Sequence, residues 1–179
     1  RAPPRGRLPW LWRMLFTLLR IRLIVENLEA ETEANWFERH QPDLLARTAH
    51  FLLLSGYLNY RLTGAFKDSV GSQVGYVPFD FKKQDWCADS DWKWHSMAIK
   101  RYMLPAVAAV GETLGAVTPE AAVATGVPEG VPVIAGAADK ACEVLGVGAL
   151  AAGVASVSCG TTATINTTRS QYVEVVPFM

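Results

Sequence analysis

Between Val117 and Leu150 the chain is punctuated so closely that few backbones can satisfy it. The stretch reads "VTPEAAVATGVPEGVPVIAGAADKACEVLGVGAL". Thr118 before Pro119 is an N-cap followed by a first-turn proline, whose missing N–H has no partner to lose there. Gly126 stops the alanine-rich helix that follows, "PEG" turns the chain, and "VPVI" has the β-branched character of a strand. The small residues "AGAA" then deliver the chain to Asp139, where a second helix begins, with Ala141, Val144 and Leu145 on one side. Helix, turn, strand and helix thus follow in immediate succession.

Asp139 is the residue in this stretch that the core does not need. A carboxylate at a strand end and a helix start can act as an N-cap, satisfying loose backbone N–H groups for about 1 kcal/mol. It can also face a ligand, because the loops after strand ends are where α/β sheets bind theirs. On the local sequence alone the N-cap is the leading reading.

Past Gly153, "VASVS" alternates like a strand and turns at "CGTTATINTT", a hairpin with Gly160 in the tight position. A glycine followed by two hydroxyl residues offers backbone and side-chain donors to an anion such as phosphate. An ordinary hairpin turn has the same composition, and no lysine follows to make a P-loop. Taken with Asp139, the turn suggests phosphoryl transfer. Asp139 is then the base that accepts a hydroxyl proton, and Gly160, Thr161 and Thr162 belong to a phosphate cradle working with a metal ion. Cys159 offers a rival chemistry as a nucleophile beside a glycine turn. It would need a histidine, and His40, His50 and His95 all lie far upstream, so a buried, inert thiol is the favoured reading.

Composition excludes some classes of function. Half of the 179 residues are hydrophobic, ample for a core. Seventeen basic and seventeen acidic residues cancel, so no overall field draws the chain to nucleic acid. The three cysteines, Cys87, Cys142 and Cys159, are far apart and odd in number. They form neither a disulfide framework nor a metal pair and suit a reducing, cytoplasmic setting.

The first 25 residues are basic and apolar, with no acid before Glu26. Arg13, Arg20 and Arg22 interrupt the apolar run, which leaves no integral membrane span. Arg13, Thr17 and Arg20 make one polar stripe on a helix whose wide apolar face can pack on its own protein, lie on a membrane surface or act as a transit segment. Packing on its own protein is the ordinary reading. "ENLEAETEANWFERHQ" continues as a helix with Leu28, Thr32, Asn35 and Trp36 near one face, and Pro42 opens another over "PDLLARTAHFLLL". The "FLLL" end fits a helix or a short buried strand. "SGYLNYRLTG" is a further helical segment stopped by Gly64, and residues 64–86 read as a connecting or functional loop. "DWCADSDWKWHSM" carries three tryptophans that suit core anchors or a stacking platform.

Three stretches together resemble the FGGY family of carbohydrate kinases, which includes glycerol, xylulose, ribulose and gluconate kinases. They are "YLNYRLTGAFKDSVGSQVGYVPFDFKKQDW", "MLPAVAAVGETLGAVTPEAAVATGVPEGVPVIAGAADKACEVLGVGAL" and "GVASVSCGTTATI". Their order and spacing agree with the family from roughly Glu33 to Thr168. The resemblance implies a ribonuclease H-like α/β fold of the actin, hexokinase and chaperone ATPase type, with the active site between two domains. It implies ATP with Mg2+ as phosphate donor and a sugar or polyol as acceptor. Asp139 falls on the family's catalytic base, and Gly160, Thr161 and Thr162 on its nucleotide-phosphate hairpin. The loop from Asp68 to Gln73 is one residue longer than the family's pattern, so no substrate contact is carried over there.

The resemblance divides the chain into a basic helical segment over 1–32, part of the kinase N-terminal domain over 33–147 and the beginning of the C-terminal domain over 148–179. The family's amino-terminal phosphate motif and adenosine-binding glycine motif do not occur. The expectation is an internal piece of a longer kinase, inactive and marginally stable by itself. The segment "LPWLWRMLFTLLRIRLIVENLEAETEANW" resembles an insertion of one subgroup. A non-catalytic, kinase-like interaction module is the alternative.

Overall fold

The protein is described by a computed structural model, which covers residues 9–18, 22–75, 77–161 and 163–173. Helix α1 (Trp10–Leu18) docks on the rest of the chain through Phe16. That ring is buried beside Trp12, beside Val25 of α2 (Arg22–Glu31), and edge-on to Trp92 at 5.0 Å between centroids. An edge-to-face pair of this kind adds about 1 kcal/mol to the burial of the rings. The helix therefore packs on its own protein, while Trp10, Leu11 and Leu18 stay exposed. On the polar stripe Thr17 bonds back to the Arg13 carbonyl, and Arg13 pairs with Glu26. Arg20 lies outside the described residues.

The acidic segment expected as one helix is two. Thr32 is extended (φ −63°, ψ 125°) and starts α3 (Glu33–His40). The break lets both helix ends converge on Asn35. Its amide donates to the carbonyls of Glu29 and Ser96, and its oxygen accepts the N–H of Ala98. Ala34 then packs on Met97, Ala98 and Ile99 in one of the core clusters. Trp36, expected on the buried face, is 43% exposed and stacks on His40 instead.

Helix α4 (Pro42–Ala46) starts at its proline as expected and ends after five residues. The "FLLL" segment is neither helix nor regular strand, apart from its last leucine, and Phe51 N–H is taken by the Met103 carbonyl. Helix α5 (Leu54–Thr63) includes that leucine and stops at Gly64, whose φ of 72° suits glycine and whose N–H returns to Tyr60.

Residues 64–86 are more regular than a loop. They contain strand β1 (Lys67–Ser69) and a tight hairpin of β2 (Phe79–Asp80) and β3 (Asp85–Trp86). After the single turn α6 (Lys93–Ser96), strand β4 (Ala106–Ala108) runs parallel to β1. Strands of two or three residues are too short to show alternation, and a parallel partner distant in sequence leaves no local signal. Trp86 and Trp92 are buried, and Trp86 Nε1 donates to the Pro105 carbonyl at 2.7 Å. Trp94 Nε1 donates to Ala88. These tryptophans are core anchors.

Helix α7 (Pro119–Thr125) and strand β6 (Pro132–Ile134) lie where the sequence places them, and a strand that it did not announce, β5 (Thr113–Ala116), precedes them. Thr118 Oγ1 accepts from Ala121 N–H, and Gly126 and Gly130 adopt φ values of 78° and 81°. Strands β5 and β6 pair antiparallel, and Leu114 and Ala135 join Ala108 in a second core cluster with Val133 against it. Helix α5 lies against β1, β5 and α7.

Helix α8 (Asp139–Gly146) follows β6, and β7 (Ala155–Cys159) pairs with β8 (Ala163–Thr167) in an antiparallel hairpin. The face of α8 expected to be buried is largely open: Leu145 is 64% exposed and Ala141 is exposed. Among the described residues no helix is long and apolar enough to cross a membrane.

Candidate active site

Asp139 is the first residue of α8, and the capping position before it belongs to Ala138 (φ −63°, ψ 156°), which has no side chain to cap with. The N-cap reading of Asp139 is thereby corrected. Its Oδ1 accepts the neighbouring Lys140 N–H at 2.7 Å. Among the described residues nothing bonds to Oδ2, and the side chain is exposed. The carboxylate is thus held on one oxygen and open on the other.

The backbone that delivers Asp139 is fixed from a distance. The Ala138 N–H donates to the Gly71 carbonyl at 2.8 Å, and Gly71 and Ala137 form an isolated parallel bridge. Ser69 Oγ donates to the Gly136 carbonyl and accepts the Gly71 N–H at 3.1 Å. The contact is so close that a Cβ on Gly71 would stand 2.9 Å from the Gly136 carbonyl oxygen and 3.0 Å from Ala137 Cα. Here glycine is required by backbone proximity.

Behind this loop sits Asp68, 1% exposed. Its Oδ2 accepts Ser55 Oγ at 2.8 Å and Gln73 Nε2 at 3.0 Å, and its Oδ1 accepts Asn59 Nδ2 at 2.9 Å and Ser69 N–H at 2.8 Å. A buried carboxylate is tolerated only when its lone pairs are so occupied. The sequence marks this loop, from Asp68 to Gln73, but not these partners. The spacing of Ser55 and Asn59 by four on one helix was the available signal, since it puts both donors on one face.

On the other side, Lys140 Nζ bonds both Glu143 oxygens and Ser158 Oγ at 3.1 Å. Its ammonium is held above the ordinary lysine value, chiefly by the Glu143 hydrogen bond. Lys140 therefore ties the start of α8 to β7, the strand leading into the turn at Gly160. Gly160 is not in the left-handed region expected of a tight turn glycine, and no atom lies within 4 Å of where its Cβ would stand. Gly160 and Thr161 are exposed, and Thr162 lies outside the described residues. Cys159, expected to be buried, is a free, exposed thiol. His40 and His50 are stacked on Trp36 and Phe66. Among the described residues no three or more His, Cys, Asp or Glu side chains gather to hold a metal ion.

Residues 19–146 match the FGGY family of carbohydrate kinases, N-terminal domain. The chain is 40% identical over 125 residues to the "Uncharacterized sugar kinase YgcE" of Escherichia coli (strain K12), covering 70% of this chain and 24% of that protein. It is 36% identical over 126 residues to the xylulose kinase of the same organism, covering 70% of this chain and 25% of that protein. The crystal structure of xylulose kinase from Rhodospirillum rubrum superposes with a TM-score of 0.62 at 28% identity, over 81% of this chain and 28% of that one. The chain spans about a quarter of the length of these relatives. Its fold is the α/β fold of the sugar kinases, of the actin and hexokinase type.

Proposed function

Because the chain belongs to the FGGY family of carbohydrate kinases, we propose that the protein carrying it phosphorylates a hydroxyl of a sugar or polyol, with Asp139 as general base. The observation that carries this reading is the exposed carboxylate of Asp139, with one oxygen held by Lys140 N–H and the other open, on a backbone clamped by Ser69 and Gly71. A base must hold its position relative to the hydroxyl it deprotonates, and a clamped backbone with a free oxygen meets that need.

ATP, when bound, supplies the phosphoryl group. Gly160, Thr161 and Thr162 are assigned to its phosphates. In support, the backbone at Gly160 has open space around it, so an anion can approach its N–H groups. No residue of this chain is assigned to Mg2+, an ion commonly carried largely by the phosphates themselves. In this reading the N-terminal domain of the kinase extends to Val147 and the β7–β8 hairpin opens the C-terminal domain. Lys140 then spans the two through Ser158. Asp139 takes the acceptor's proton on Oδ2 while Oδ1 stays on the Lys140 N–H.

The test is ADP release by the gene product that carries this chain, given Mg-ATP and a panel of polyols, ketopentoses and sugar acids, beside its Asp139→Asn variant. Acceptor-dependent turnover is expected, and a loss of about 10²–10⁴-fold in kcat in the variant, the usual worth of a positioned base. Turnover that survives the substitution would remove Asp139 as base. Absence of turnover with every acceptor would favour a non-catalytic, kinase-like interaction module.

A further inference from the structure

We propose that Asp68 is a positioning residue for Asp139, acting through Ser69 and Gly71 on the backbone of Gly136–Ala138. The proposal deepens the kinase reading and rests on it for its catalytic consequence. Asp68 cannot itself touch an acceptor, being 1% exposed with both oxygens occupied. What it does hold is the loop. Its Oδ1 fixes the Ser69 N–H, and its Oδ2 fixes Gln73 Nε2, which also donates to the Ser69 carbonyl at 3.0 Å.

Ser69 is therefore held at both its N–H and its carbonyl by the Asp68 set. Its hydroxyl is left to donate to the Gly136 carbonyl and to accept from Gly71 N–H. Gly71 in turn accepts from Ala138, the residue before Asp139. Four links thus run from a buried carboxylate to the proposed base: Asp68 to Ser69, Ser69 to Gly136 and Gly71, Gly71 to Ala138, and Ala138 to Asp139. Every donor to Asp68 is neutral, so its geometry depends on hydrogen bonds alone and not on an ion pair. Helix α5 provides the anchor, because Ser55 and Asn59 are four residues apart on it. Gly56, on the turn between them, keeps the approach open: a Cβ there would stand 3.2 Å from Asp68 Oδ2.

Substitution of Asp68 by asparagine keeps the volume and turns one acceptor into a donor. An NH2 then faces two N–H or O–H donors. Ser55 can rotate its hydroxyl, but Gln73 can turn only by releasing the Ser69 carbonyl. The disturbance thereby passes down the chain of links to Gly136 and Ala138.

The experiment measures two things on the gene product carrying this chain, for wild type, Asp68→Asn and Ser69→Ala. One is amide hydrogen exchange at Ala138; the other is steady-state kinetics with the best acceptor. Ser69→Ala cuts the second of these links, the hydroxyl's bonds to Gly136 and Gly71, without disturbing the buried carboxylate, so it keeps the test open should Asp68→Asn fail to fold. Expected are faster exchange at Ala138 with unchanged exchange in β7–β8, and kcat reduced by about 10–100-fold at an ATP KM within about three-fold of wild type, since a misplacement of about 1 Å costs on the order of 10²-fold. A purely structural role would lower the folded fraction, scaling kcat in step with the loss of active protein and speeding exchange throughout. Unchanged kcat in variants that fold, or lowered kcat with Ala138 still protected, overturns the proposal. A wild type without turnover removes the kinase reading separately. The link from Asp68 to Ala138 is then judged by exchange alone, with unchanged protection overturning it.

Discussion

Asn35 and Ala98, 63 positions apart in sequence, are joined by a hydrogen bond of 2.7 Å from the Ala98 N–H to the Asn35 side-chain oxygen. The same side chain donates to Ser96 and Glu29, so a single amide closes the gap between α2, α3 and the segment before β4. Asn35→Ala would leave one buried N–H and two carbonyls without this partner. Each such loss costs about 1–3 kcal/mol, so a destabilisation of about 2–4 kcal/mol is expected after partial relaxation. Asn35→Asp should cost at least as much, because its second oxygen would face the carbonyls of Ser96 and Glu29. Urea denaturation of the three proteins checks both. An alanine variant within about 0.5 kcal/mol of wild type would show that the amide is not a clamp.

Asp80 predicts an acid-sensitive hairpin. Its Oδ1 accepts the N–H groups of Lys82 and Lys83, and the Lys83 ammonium lies 3.5 Å from Oδ2. The Lys83 backbone hydrogen bond holds its carboxyl below the ordinary value, with the Lys83 charge helping and burial opposing. A carboxylate whose folded pKa is depressed contributes stability above its unfolded value of about 4 and loses it as pH falls through the folded one. Chain stability should therefore fall below about pH 4 more steeply in wild type than in Asp80→Asn, which keeps the oxygen acceptor and removes the titration. Parallel curves of melting temperature against pH for the two proteins would contradict this.

What could be read in advance depended on whether the controlling interaction was local. Helix α7 was legible to the residue, because Thr118, Pro119 and Gly126 act through bonds within one or two turns of the chain. The β7–β8 hairpin was legible for the same reason, though its glycine uses ordinary backbone angles. The break at Thr32 was not, since α2 and α3 have continuous helical character and the break answers to Ser96 and Ala98. Nor was the pairing of β1 with β4, or the hold of Ser69 on Gly136, 67 positions away. Asp139 stood out because a strand ending in small residues makes a charge conspicuous. Asp68 did not, because an aspartate beside a serine in a polar loop resembles any turn.

The three cysteines give the last prediction, and here the sequence reading assigned inertness to the wrong thiol. Cys87 is the buried one, 1% exposed, and Cys142 and Cys159 are exposed. Burial pushes the Cys87 thiol up to about 11; Asp91 and Asp80 add to the rise, and the nearby Lys93 ammonium opposes it. The thiolate is the reactive form, so at pH 8 Cys87 combines a closed site with almost no nucleophile. Treating the folded protein with a maleimide at pH 8 should add two groups quickly, and a third only after denaturation. Because the folded pKa is raised, the stability linked to this thiol is complete below the unfolded value of about 8.5 and lost as pH rises toward the folded one. The folded protein should therefore weaken above pH 9, and Cys87→Ala should show a shallower decline there while losing about 1 kcal/mol of burial at neutral pH. Three adducts forming at one rate on the folded protein would place Cys87 at the surface and remove both expectations.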